Sequence, residues 1–204
     1  MAGPLHNTQR TIVFTLMTTA AQCRAALAIG VLIAATMIGG GSPAFAQSAS
    51  SPDVKAAFIL NFAKFIEWPA ALLPDGQPMI VGVIGLPIVA DSLTTLARGK
   101  TIDGRTIVVK KLVDGDDPKS MHILFIGESE RSRIAPLVER IGNGSVLTVS
   151  DAPRFCSLGG IIQLRTDDDR VRFDINLDRA GAAGLVINSK LLALAGSINP
   201  PKTN

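Results

Sequence analysis

The sequence predicts an α/β fold: a single domain with a mainly parallel sheet, helices on both faces and an antiparallel C-terminal hairpin. Three observations point there. Short apolar runs that suit buried strands, at 79–84, 122–126 and 146–149, alternate with segments of helical period. Two strand-like runs, 160–165 and 170–177, flank the polar turn Thr166-Asp167-Asp168-Asp169, which adds an antiparallel pair to the parallel set. From Gln47 onward the chain has roughly 158 residues, enough for one core, with no repeat and no long linker to divide it.

The first 46 residues read as an export signal. Arg10 and Arg24 precede the uncharged run 25–41, and Ala44-Phe45-Ala46 offers the small side chains that a signal peptidase admits, so cleavage is expected after Ala46. Translation from Met17 would give a conventional short basic lead. The competing reading of 25–41 is an uncleaved membrane anchor; its three closing glycines and the Ala-x-Ala site argue against that. Cys23 precedes the apolar run, so it cannot be a lipoprotein acylation site. Cleavage removes two arginines and no acid, and the formal charge falls from +3 to about +1. A near-neutral domain has no electrostatic footprint for nucleic acid. One cysteine, Cys156, remains, either buried and inert or available to a partner.

Each element has its own signal. Residues 47–52 form a small polar leader. Asp53 is placed to cap a helix from Val54, whose apolar positions carry through Ile66 and which Pro69 must stop by Trp68. A strand at 79–84 leads into a helix at 87–97 with proline in its first turn. Residues 101–112 are extended about an Asp103-Gly104 turn. A strand at 122–126 precedes a helix at 131–141, where Pro136 must sit early. The strand 146–149 and the hairpin follow, then a closing helix at 178–195 with Gly181 and Gly184 as weak points. The tail 197–204, with Pro200-Pro201, is expected to be disordered, which puts the folded domain at 53–196.

The residue types that carry chemistry are nearly absent, so the chain is not expected to be an enzyme, and no catalytic residue, metal site or cofactor is assigned. His122 is the one histidine after Ala46. Gly127-Glu128-Ser129-Glu130-Arg131 begins like a nucleophile elbow but lacks its final glycine. Gly82-Val83-Ile84-Gly85 lacks the spacing of either phosphate-binding glycine motif. Asp114-Gly115-Asp116-Asp117 and Asp167-Asp168-Asp169 lack the alternating ligands and terminal glutamate of a calcium loop.

Apolar residues stand out instead. Phe58, Phe62, Phe65 and Trp68 line the first helix and its exit, with Ile59, Leu60, Ala63 and Ile66 widening the apolar arc. Such a helix is central to the core, or it covers a partner as well as its own sheet. Phe155-Cys156-Ser157-Leu158-Gly159-Gly160 reads as a greasy loop after a strand, the kind of patch that marks a contact site. Phe155, Cys156 and Leu158 are one candidate partner surface; Phe65, Ile66 and Trp68 are a second.

Three blocks in order resemble a known family. They are 56–69, from Ala56-Ala57-Phe58 to Glu67-Trp68-Pro69; Leu147-Thr148-Val149-Ser150-Asp151 with Phe155-Cys156 and Gly159-Gly160-Ile161-Ile162; and Val171-Arg172-Phe173-Asp174-Ile175-Asn176-Leu177 with Ile187-Asn188-Ser189-Lys190-Leu191-Leu192. Together they resemble the YfiR/HmsC-like periplasmic proteins. The resemblance implies a negative regulator in the periplasm that binds the periplasmic sensor region of an inner-membrane diguanylate cyclase, lowering cyclic di-GMP and biofilm formation. After cleavage it implies no membrane insertion, and a homodimer is left open. Some members respond to redox state through paired cysteines; here Cys156 matches that block but has no partner cysteine within 47–204. The rival reading is a periplasmic small-molecule binding protein with its site at the C-terminal ends of the strands, where Gly82–Pro87 and Gly127–Ser129 lie.

Overall fold

The structure, a computed structural model, describes residues 51–168 and 170–199. The expected export signal, most of the leader and the end of the tail lie outside the described residues. Helix α1 (Pro52–Ala63) is capped by Ser51, whose Oγ accepts from the Val54 N–H at 3.3 Å. The helix therefore starts before Asp53, within the segment read as leader. Asp53 instead accepts a 2.5 Å hydrogen bond from Ser92, tying α1 to α2 (Pro87–Ala97).

α1 ends at Ala63, short of the Ile66 that the apolar period suggested. The chain turns there because Ile66 and Glu67 are taken as a strand, β1 (Ile66–Glu67), paired antiparallel with β9 (Val186–Ile187). A tertiary partner overrides the local period, and Pro69 is only a back-stop. The 178–195 segment is likewise not one helix. α4 (Leu177–Ala182) stops at Gly184, whose φ of 70° is the left-handed conformation of a helix end. Leu185 N–H donates to Ala180 O and Gly184 N–H to Gly181 O, the two bonds of a Schellman stop. β9 and the short α5 (Ser189–Leu192) follow.

Eight strands form the main sheet: β2 (Met79–Ile84), β3 (Thr101–Ile102), β4 (Arg105–Lys111), β5 (Ile123–Ile126), β6 (Leu147–Ser150), β7 (Ile162–Asp167), β8 (Arg170–Ile175) and β10 (Ser197–Ile198). Their order is β10-β8-β7-β6-β5-β2-β4-β3. β7–β8 and β3–β4 are antiparallel; every other neighbouring pair is parallel. β10 lies in the expected disordered tail, but Ser197 and Ile198 pair with Asp174 and Ile175 and extend the sheet. Pro136 is the third residue of α3 (Ile134–Ile141), where its missing N–H costs no helical bond; a 3₁₀ stretch, Glu128–Arg133, replaces the expected start of that helix.

The two sheet faces have separate cores. α1 and α2 pack on the face carrying Val81, Val83, Ile123, Phe125 and Val149, together with Leu164 and Phe173 of the hairpin. α3 packs on the opposite face, over Ile84, Leu124 and Ile126. The aromatic stripe of α1 is largely core: the rings of Phe62 and Phe173 meet edge-on at 5.0 Å between centroids, and Phe58 touches both.

Candidate functional site

The chain leaves β2 through α2 toward β4 on one side, and leaves β5 through α3 toward β6 on the other. The carboxyl ends of β2 and β5 are thus the switch point, where a doubly wound sheet holds small ligands. Here that space is filled. Gly85 adopts a φ of 80°, and a Cβ there would lie 2.7 Å from Ser129 Oγ and against the Glu130 side chain. Ser129 Oγ donates to Gly85 O at 2.5 Å. The two glycine-bearing segments expected to frame a ligand instead close on each other.

Catalytic pairing of Ser129 with His122 is also ruled out by placement. The whole of β5 separates them, about 13 Å at a strand's usual rise. His122 is a clasp: its Nδ1 accepts from the Ile80 N–H at 2.9 Å, its Nε2 lies 3.3 Å from Leu72 O, and its carbonyl accepts from Trp68 Nε1 at 3.3 Å. The first acidic cluster is a braced turn, with Asp114 on Arg133, Asp116 accepting from Val113 N–H and Asp117 from Lys119 N–H. Asp167 pairs with Arg165. Among the described residues, no three or more His, Cys, Asp or Glu side chains group as a metal site would need.

The segment after β6 corrects part of the first candidate surface. Phe155 is fully buried beneath α3, and Cys156 is 2% exposed. Neither can touch a partner directly. The Cys156 sulfur lies 3.5 Å from Ile161 O and 3.6 Å from Asp174 O. Burial, reinforced by the Asp174 charge, pushes its thiol up to about 12. The thiol is inert, not presented. Leu158 differs. It lies at the end of a 3₁₀ turn (Cys156–Leu158) closed by Gly159 at φ 92°, and it is 37% exposed. The buried pair thus forms the base on which Leu158 is displayed.

The second surface divides the same way. Ile66 is buried and paired with Ile187. Phe65 and Trp68 are half-buried against the core. Trp68 also walls an open cavity of about 500 Å³ with Glu67, Leu73, Met79 and Arg105. Two exposed apolar residues at this end escaped the sequence reading: Val186, opposite Glu67, and Leu72, whose carbonyl faces His122. Reading 178–195 as a helix hid Val186; only the glycine pair at 181 and 184 signalled the break.

These features define an α/β domain with the crevice over β2 and β5 closed at Gly85, a cavity of about 160 Å³ beside it lined by Lys55, Glu128 and Asp151, and apolar side chains offered outward at a few points. The chain belongs to the YfiR/HmsC-like family, whose model matches residues 52–196. That family is periplasmic, and it is a regulatory family consistent with control of diguanylate cyclases. Among solved structures, a conserved domain protein from Vibrio cholerae O1 biovar El Tor is similar at 16% identity and a TM-score of 0.46, covering 72% of this chain. An ABC domain from Streptococcus pneumoniae, solved in complex with L-Trp, is similar at 10% identity and a TM-score of 0.49, covering 70% of this chain. This chain spans 60% and 61% of their respective lengths. Among the described residues, no helix is long and apolar enough to cross a membrane.

Proposed function

We propose that the chain is exported to the periplasm, is cleaved after Ala46, and represses an inner-membrane diguanylate cyclase by binding its periplasmic sensor region. The observation that carries this reading is the closed strand end: Ser129 and Glu130 occupy the space over Gly85 that a small-molecule receptor would keep open. Membership of a regulatory family supports a binding role, and repression is the direction we assign to it. Leu158 forms the contact, with Phe65 and Trp68 as a second candidate surface; Phe155 and Cys156 support Leu158 from beneath.

Repression needs no chemistry. A ligand that prefers one state of a two-state sensor shifts its population toward that state. A shift from about 1:99 to 99:1 requires about 5.5 kcal/mol of differential binding, within reach of a modest apolar contact. Deleting the gene should raise cyclic di-GMP, and the tagged mature protein should recover a cyclase-bearing membrane protein from solubilised inner membrane. Unchanged cyclic di-GMP in the deletion strain would remove the cyclase from the reading.

A further inference from the structure

Strand β4 is an edge prepared for pairing. On its inner side it is bonded to β2 from Ile107 to Lys111. On its outer side β3 covers only Arg105 and Thr106. The N–H and C=O groups of alternate residues in a strand point to opposite sides. Leu112 N–H donates inward to Val83 O at 2.8 Å, so Ile107, Val109 and Lys111 aim theirs outward. The pairing of Thr106 with Thr101 extends to the Ile107 N–H; among the described residues no strand pairs with Val109 and Lys111.

A groove runs beside this edge. Two cavities, of about 430 and 380 Å³, share Lys100, Thr101 and Ile107 and lie between the end of α2 and β4. Their apolar walls include Ala97, Leu96 and Val109. Their rim is basic: Lys64, Arg98 and Lys100 are exposed, and Lys110 stands on the other face of the strand. Arg98, Lys100 and Lys110 make no ion pair among the described residues, whereas Lys111 is held by Asp91 at 2.6 Å.

We propose that this edge binds an extended segment of a partner protein as an added strand, with apolar and acidic side chains alternating along it. Main-chain bonds to Val109 and Lys111 supply register. Apolar side chains on one face of the added strand enter the two cavities, and the carboxylates, on its opposite face, meet Lys110, while Arg98 and Lys100 at the rim add to the local positive field. A second copy of this chain is a poor occupant, because its β4 carries Arg105, Lys110 and Lys111 and no carboxylate to set against this basic edge. The inference is independent of the cyclase reading, and so is its test.

The probe is a fluorescein-labelled octapeptide of alternating valine and glutamate, with a valine–lysine octapeptide as its counterpart. Anisotropy should show saturable binding of the acidic peptide and binding about tenfold weaker or absent for the basic one. Amide exchange at Val109 and Lys111 should slow in the acidic complex. Val109→Pro, which deletes an outward N–H at an edge position, should abolish binding. If that variant fails to fold, the surface variant Lys110→Glu decides, with about tenfold weaker binding and unchanged melting expected. Equal binding of both peptides, protection confined to other amides, or a concentration-dependent dimer protecting these same amides without peptide would each overturn the proposal.

Discussion

The ring of Phe155 fills the space that a side chain at position 160 would need: a Cβ on Gly160 would fall inside the ring's van der Waals envelope. Both residues are buried, and the Gly160 N–H donates to Phe155 O at 3.0 Å, so the loop folds back on itself around the ring. Gly160→Ala should cost about 1–3 kcal/mol, the usual penalty for overpacking. Urea unfolding measures it. Phe155→Leu combined with Gly160→Ala should recover part of the loss, since residues in contact couple. Full additivity of the two changes would mean that the ring does not occupy this space.

Leu158 is the outward product of that packing. Its N–H is within bonding distance of Arg154 O and Phe155 O, each at 3.1 Å, so the backbone is held whatever the side chain. Leu158→Asp should stay within about 0.5 kcal/mol of the wild type, as surface changes do. In a desolvated contact the same charge loses water without gaining a partner and costs several kcal/mol. The variant should melt normally, fail to capture the membrane partner, and raise cyclic di-GMP as a deletion does. A stable variant that still represses would move the contact to Phe65 and Trp68.

Cys156 gives a pH signature. Its thiol sits at about 12 in the folded chain, against about 8.5 unfolded. Above the lower value the unfolded state has lost a proton that the native state keeps, so stability falls as pH rises toward 12; below it the contribution is full and constant. About one pH unit above the unfolded value the loss should be about 1.4 kcal/mol. The chain has no tyrosine, which leaves this alkaline window less crowded. Urea unfolding at about pH 7.5 and 9.5, in reductant, should show a steeper loss for the wild type than for Cys156→Ala. Equal losses would mean that the thiol is accessible in the fold.

What was legible in the sequence was the sheet. The apolar runs at 79–84 and 122–126 and the 87–97 helix stand where local pattern placed them, because buried parallel strands and proline-initiated helices carry their signals within a few residues. The hairpin is present, but its first strand starts at Ile162 and runs on through Thr166 and Asp167, which local pattern assigns to the turn. Three of the misses share one cause. Ile66, Val186 and Ser197 enter strands whose partners are remote in sequence, a pairing that no local period encodes. The candidate site shows the same limit. Apolar character identified the 155–158 segment, but whether a phenylalanine or the neighbouring leucine faces water depends on Gly160 and α3, not on hydropathy.

The closed strand end yields the last prediction. Gly85 is held by two separate requirements: a positive φ, which for a residue with Cβ costs about 1–2 kcal/mol, and the close approach of Ser129 and Glu130. Gly85→Ala breaches both and should destabilise by more than the backbone term alone. Ser129→Ala removes the donor to Gly85 O and should cost about 1 kcal/mol, the net value of one hydrogen bond. It also trims the plug, so Gly85→Ala should be less damaging in the Ser129→Ala background than in the wild type. A double-mutant cycle by urea unfolding reads that coupling. A Gly85→Ala loss no larger than the backbone cost of about 1–2 kcal/mol, and uncoupled from Ser129→Ala, would mean that Ser129 and Glu130 swing clear of the strand end. The small-molecule reading, with an open site above β2 and β5, would then regain its pocket.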